Sequence, residues 1–255
     1  MIVSQTKIVS VHSYRGGTGK SNITANLAVV LAEHGLKVGM ADMDIQSPGI
    51  HALFGFEPSS FTYCLNDYLW SRCAVDEAVY PLNDRLESPV SGRLMLLPCS
   101  IHPGDIARII HDGYDVDRLH EGLSAFAEHF ELDFLLIDTH PGLGEETLLS
   151  IALSDRLLII LRPDRQDYQG TSVTLKVAAQ LGVPRMSLCI NKAPASLPET
   201  SLRRKVEEVY GYPVDAVFYH SDDMMALASD GIFVQRFPEH DLSRQLKDLA
   251  GKLLP

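Results

Sequence analysis

Gly16, Gly17 and Gly19 stand directly before Lys20 and Ser21, a grouping suited to holding phosphate. Without a Cβ, the backbone at those glycines can approach an anion closely. Successive N–H groups in such a loop converge on negative charge, and a helix N-terminus behind them adds its positive dipole end. The Lys20 ammonium can reach the β- and γ-phosphates of a nucleotide, and the Ser21 hydroxyl can ligate Mg²⁺. The amides from Gly17 through Thr18 and Gly19 to Lys20, with Asn22 behind them, complete the candidate nucleotide contacts.

The strict phosphate-loop pattern G-x-x-x-x-G-K-[ST] fails at its first position, where Tyr14 stands. The surroundings nevertheless have the right order. Ile8-Val9-Ser10-Val11 reads as a strand, and the stretch from Asn22 to Glu33 reads as a helix. A bare glycine turn ahead of a helix is the competing reading. The placing of Gly19-Lys20-Ser21 at the strand-to-helix junction favours the phosphate loop.

Two acidic segments follow later strands. In Ala41-Asp42-Met43-Asp44-Ile45-Gln46 the carboxylates leave the strand together and can face a Mg-phosphate group. Alone they would more simply cap a turn or a helix start. Phe134-Leu135-Leu136-Ile137 ends in Asp138, the arrangement in which a strand-end carboxylate holds Mg²⁺ through water. Pro141-Gly142 beyond it suits a loop that rearranges with a γ-phosphate. His140 between them reads as a structural hydrogen-bonding residue, the commoner role of a lone histidine. Asn191-Lys192-Ala193-Pro194 holds only half of the guanine-selecting Asn-Lys-x-Asp box, which favours ATP.

Positioning these segments calls for alternating strands and helices. Strands are expected at 7–13, 37–42, 93–98, 133–138, 156–161, 186–191 and 214–219, several of them apolar on both faces. Helices are expected near 22–34, 60–71, 116–129, 145–153, 168–181, 199–210 and 222–229, with 81–92 as a surface loop. Alternation of this kind implies an α/β fold: a doubly wound, mostly parallel sheet with helices on both faces. Ligands of such sheets bind at the carboxyl ends of strands, where the suggestive residues fall. The whole chain, 1–255, reads as a single domain.

Composition narrows the function classes. The chain has 255 residues, 45% hydrophobic and 22% charged, ordinary values for a water-exposed globular fold. A formal net charge of −11 disfavours indiscriminate nucleic-acid binding, without excluding a local patch such as Arg203-Arg204-Lys205. The four cysteines, Cys64, Cys73, Cys99 and Cys189, form no C-x-x-C pair, so metal ligation has no local support and a reducing cytoplasm is expected. No signal peptide or membrane-spanning run is evident.

The segment around Arg15-Gly16-Gly17-Thr18-Gly19-Lys20-Ser21 resembles the deviant Walker A box of the ParA/MinD ATPases. That box usually reads Lys-Gly-Gly-x-Gly-Lys-[Ser/Thr] and commonly lacks the first glycine. Arg15 stands where the family has its signature lysine, keeping the charge but not the shape. The likeness extends through Asp42-x-Asp44-x-Gln46, Asp138 and Asn191-Lys192, nearly the whole chain. It implies Mg²⁺ and ATP or ADP as cofactors. It implies Asp44 as the residue orienting the attacking water, and Asp42, Asp44, Asp138 and Ser21 as the surroundings of the metal. It implies catalytic roles for Lys20 and for Arg15, the latter reaching a partner's nucleotide across a homodimer. Asn191 becomes an adenine contact, and the loop at Tyr219-His220-Ser221-Asp222 flanks the base.

Several neighbours on the same scaffold fit less well. Nitrogenase iron proteins need a cysteine after the second acidic segment, and none occurs between Cys99 and Cys189. Iron–sulfur scaffold ATPases need a C-x-x-C. The arsenite- and tail-anchor-handling ATPases use added metal-binding or lipophilic segments, and the related tyrosine kinases a tyrosine-rich tail. The resemblance therefore implies a slow, partner-stimulated ATPase, cycling between monomer and ATP-sandwich dimer to position or regulate a cargo. A low-turnover nucleotide-binding regulatory module is the alternative. Near the C-terminus, Leu242, Leu246, Leu249 and Leu253 make one apolar face. Its polar face mixes acids with bases and has no interfacial aromatic residue, so a core-packing helix rather than a membrane anchor is expected.

Overall fold

A computed structural model describes residues 6–254. In it the chain runs β1 Lys7–His12, α1 Lys20–Glu33, β2 Lys37–Met43, α2 Ile50–Leu53, α3 Leu65–Leu69, β3 Tyr80–Pro81, β4 Arg93–Leu97, α4 Pro103–Asp112 and α5 Val116–His129. It continues β5 Phe134–Thr139, α6 Glu145–Ala152, β6 Arg156–Leu161, α7 Arg165–Gln180, β7 Arg185–Ala193, α8 Glu199–Tyr210, β8 Val214–Tyr219, α9 Asp222–Leu227, α10 Phe233–Arg236 and α11 Asp241–Gly251.

The eight strands form one sheet in the order β3-β4-β2-β5-β1-β6-β7-β8. Every pairing is parallel except β3 against β4 at one edge. The expected doubly wound α/β fold is the one observed. Strand order reverses around β1, so the loop after β1 opens at the centre of the carboxyl edge, where such sheets hold ligands.

Alternation along the strands divides the core into layers. Phe134 and Leu136 of β5 pack with Leu158 and Ile160 of β6 beneath α1, α10 and α11. Leu135 and Ile137 face the opposite way, against α3 and α5. Leu157 and Ile159 join α7 and α8 on that same side. Helix α1 is apolar around most of its girth, as a helix enclosed by neighbours must be: Ala25 and Leu27 through Ala32 are all buried. The α1 helix is therefore a fixed platform for the loop that begins it.

Three segments bear comparison with expectation, beside the short α2 and α10, which the pattern does not predict. The pattern at 60–71 makes only the short α3, because the Tyr80 hydroxyl accepts from the amides of Thr62 (2.9 Å) and Tyr63 (3.1 Å) and holds that stretch extended. Asp67 then caps the late start by accepting from Cys64 N at 3.0 Å. The surface loop expected at 81–92 is present and is pinned: Leu82 is fully buried, and the Asn83 amide bridges Gly92 O and Leu94 N, each at 2.9 Å. Helix α4 went unpredicted because it has almost no inward face, Ile109 being its one buried residue.

Candidate nucleotide site

β1 ends at His12, and the chain turns through Gly17 (φ 75°) and Gly19 (φ 96°) into α1. Both glycines adopt the left-handed region that other residues enter at a cost. A Cβ on Gly19 would also sit 2.5 Å from Asn191 Nδ2. Among the described residues, the amides of Gly17, Thr18 and Gly19 donate to no backbone carbonyl. The first turn of α1 carries no side-chain cap and no acidic residue. A helix start left in this condition can satisfy its N–H groups with an anion.

Tyr14, in place of the first glycine of the strict pattern, lays its ring against the backbone of Gly170 in α7. Only a residue without Cβ at 170 leaves that room. The departure from the pattern is thus absorbed by a glycine on the facing helix.

Lys20 is 6% exposed and points into the site. Asp42 on β2 and Asp138 on β5 are register partners on adjacent strands, both fully enclosed. Burial pushes both carboxyls above the usual carboxylate range, with the Asp138 and Asp44 charges adding to it at Asp42 and the Asp44 charge at Asp138. For Asp138, the Lys20 charge and the Ser21 hydroxyl pull the other way. Neither Asp138 oxygen completes a well-formed hydrogen bond among the described residues. A bare buried carboxylate beside a lysine and a serine hydroxyl fits a divalent cation with its bound phosphates.

Asp42 is engaged differently. Its Oδ2 accepts from Gly49 N (2.9 Å) and Ile50 N (3.1 Å), and its Oδ1 from Asp44 N (3.2 Å). In this structure Asp42 caps the turn and the start of α2, the simpler of the two readings of that residue. Asp44 accepts at Oδ1 from Ser47 N (3.2 Å) and pairs with His140 Nδ1 (2.7 Å).

Asn191 has both ends of its amide committed. Nδ2 donates to Thr18 O (2.7 Å) and Oδ1 accepts from Lys192 N (2.9 Å). It braces the glycine loop from the wall of the cavity where the resemblance implies a base contact for it. Lys192, held at φ 55°, sends its Nζ to Gly17 O at 2.8 Å. Beside this brace lies a cavity of about 280 Å³, lined in part by Asn22, Asn191, Tyr219, Ser221, Met224 and Leu246. The loop expected to flank a base does border it, and thioether and leucine surfaces suit a planar ring.

Arg15 is paired with the start of α7 in the single chain. It pairs with Asp164 (3.0 Å) and Asp167 (3.3 Å) and donates to Gln166 Oε1. Asp164 also caps α7, accepting from the amides of Gln166 and Asp167. The helical periodicity is visible only from Tyr168 onward, so it does not show the Asp164 cap or the Arg15 partners. His140 is a hydrogen-bonding residue as expected, here with Asp44 as its partner, while Lys192 has a role that the sequence does not single out. The Asn-Lys dipeptide was the available signal for Lys192, whereas nothing in the spacing tied His140 to Asp44.

Comparison with known proteins agrees with this geometry. Residues 4–211 match the family model described as ParA, NUBPL iron-transfer P-loop NTPase. The chain belongs to the ParA family of P-loop NTPases. An uncharacterised ATP-binding protein of Methanocaldococcus jannaschii is 26% identical over all of this chain and 90% of its own length. An iron-sulfur cluster carrier protein of the same organism is 29% identical over 80% of this chain and 65% of its own length. In fold, the chain is similar to the septum site-determining protein MinD complexed with Mg-ADP from Pyrococcus horikoshii. That structure has a TM-score of 0.82 at 22% identity, covering 98% of this chain and 96% of the other. The chain is a ParA/MinD-type P-loop ATPase.

Proposed function

We propose that this ParA-family chain is a Mg²⁺-dependent ATPase of one domain, cycling between a monomer and an ATP-sandwich homodimer to position or regulate a partner protein in the cytoplasm. The observation that carries the reading is the placement of the buried Lys20 near the bare carboxylate of Asp138, whose charge it favours, at the mouth of the left-handed glycine loop. In this reading the amides of Gly16 to Ser21 and the Lys20 ammonium bind the phosphates. Ser21 and Asp138 hold Mg²⁺, which when bound neutralises charge on the β- and γ-oxygens. Asp44 orients the attacking water, and the cavity beside Asn191 takes the base.

Iron transfer, the activity named for the matching family model, has less support in this chain. Cys64, Cys99 and Cys189 are buried free thiols. Among the described residues no group of three or more cysteines, histidines or carboxylates could hold a metal ion by itself. A low-turnover regulatory module is the second reading, in which Arg15 keeps its pairs with Asp164 and Asp167 when nucleotide binds.

The deciding experiment is calorimetry with Mg-ATP alongside a turnover assay. Lys20→Ala removes the buried cation and is expected to abolish binding. Undiminished affinity in that variant overturns the site. Tight binding by the parent with no turnover, alone or with added partners, favours the regulatory module.

A further inference from the structure

We infer that His140 is a positioning residue for Asp44, bracing the carboxylate that would orient the attacking water; the inference rests on the ATPase reading of the site. His140 Nδ1 lies 2.7 Å from Asp44 Oδ1. Because a carboxylate only accepts, the Nδ1 position carries the proton, whatever the state of Nε2. Oδ1 also takes Ser47 N at 3.2 Å, and no other protein group among the described residues bonds Oδ2. One oxygen is thus fixed from two directions and the other is left for water.

The brace is itself anchored. Thr147 Oγ1, fully buried at the first turn of α6, donates to His140 O at 3.0 Å. Two residues on, Gly142 N donates to Ser13 O at 3.2 Å, tying the same loop to the foot of the glycine loop. The His140 ring, with a side-chain exposure of 22%, is therefore delivered from a loop stapled on both sides. It joins the segment after β2 to the segment after β5, the two stretches that bear the acidic residues. Without it, Asp44 keeps only the long Ser47 contact and its carboxylate is free to rotate.

A displaced water costs turnover rather than nucleotide affinity. Misplacement by about 1 Å lowers rates by roughly 100-fold. The substitution His140→Asn separates positioning from chemistry, since the Asn Nδ2 can replace the Nδ1–H donor but offers no second ring nitrogen to take a proton.

The test compares parent, His140→Ala, His140→Asn and Asp44→Ala in two measurements. The first is steady-state ATPase kinetics. The second is hydrogen exchange of the nucleotide-free proteins over the segment from Ile45 to Gly49. His140→Ala is expected to lower kcat about 10- to 100-fold with KM nearly unchanged, and to speed exchange in that segment. His140→Asn is expected to restore both. Parental kcat and parental exchange in His140→Ala overturn the inference. Restored exchange without restored kcat in His140→Asn also overturns it, assigning His140 a proton-transfer role instead. If the parent hydrolyses no ATP and matches Asp44→Ala, the ATPase reading fails on its own, while exchange still reports whether the brace exists.

Discussion

Arg15 Nε lies 3.3 Å from Asp167 Oδ1, and Asp167 is itself buried at the start of α7. Its other oxygen takes Arg162 N at 2.9 Å and Arg162 Nε at 3.3 Å. A trans role for Arg15 therefore requires it to leave a partner that keeps a second guanidinium. The swap is reasonable in energy, because the Arg15 side chain is 31% exposed and its pairs are partly screened by water. Arg15→Ala and Lys20→Ala proteins are each expected to be inactive alone and to regain ATPase activity when mixed. The Lys20→Ala protomer then lends its Arg15 to the nucleotide held by the other. No recovery at any mixing ratio assigns Arg15 to its own chain.

Asp44→Ala is expected to bind Mg-ATP as the parent does while turnover falls at least about 100-fold, the lower end of what a positioned acid–base group contributes. The bound state then persists, so an ATP-dependent dimer accumulates in size-exclusion chromatography with light scattering. A monomer in ATP, or the parental rate, contradicts the assignment.

The sheet was legible because buried parallel strands must be apolar on both faces, as Phe134 to Ile137 and Leu157 to Leu161 are. The phosphate loop was legible because its chemistry needs adjacent residues. Long-range relations were not. Asn191 and Thr18 are 173 positions apart, and His140 and Asp44 are 96 apart. Each residue has a plausible local role, and only the strand order places them together. The short α3 was misjudged because a single hydroxyl, that of Tyr80, overrides a helical pattern.

Gly19→Ala tests the close approach behind the loop. Its added Cβ meets Asn191 Nδ2 at 2.5 Å while the backbone holds φ at 96°. Relief requires either the Asn191–Thr18 bond to break, costing about 1 kcal/mol, or the loop to leave its shape. The expected outcome is a lower Tm and at least 10-fold weaker ATP binding, by calorimetry. Asn191→Ala is expected to lower the Tm less, since it removes the bond without the clash. Equal Tm and affinity in Gly19→Ala and the parent exclude this account.

His12 gives the fold a specific acid sensitivity. Burial, and then the Lys20 charge, lower its pKa from 6.5 to about 3. Between those values the unfolded chain binds a proton that the folded chain does not, so this residue's contribution falls as pH falls. Nδ1 pairs with Thr139 Oγ1 at 2.7 Å, and Nε2 has no partner among the described residues. His12→Asn keeps a donor and removes the titration. Its Tm should decline less steeply than the parent's from pH 6.5 down to 4. Parallel declines would assign the acid sensitivity to other groups.

Helix α11 packs its leucine face into the core. Leu246 (1% exposed) and Leu249 (0%) are buried against α1, and Leu242 and Leu253 are nearly so. Leu242 and Leu246 also wall the cavity beside the glycine loop. Among the described residues no helix is long and apolar enough to cross a membrane. Leu249→Ala is expected to cost about 2–5 kcal/mol, the range for emptying a packed leucine site. Removing residues 241–255 should destabilise the fold and weaken nucleotide binding together, since one face serves both. Flotation with anionic vesicles and ATP decides between the roles. The intact protein is expected to stay with the protein fraction. Co-flotation that is lost on deletion, with ATPase activity unharmed, would make α11 an anchor, because a helix whose leucines insert into lipid cannot at the same time be filling the layer over α1.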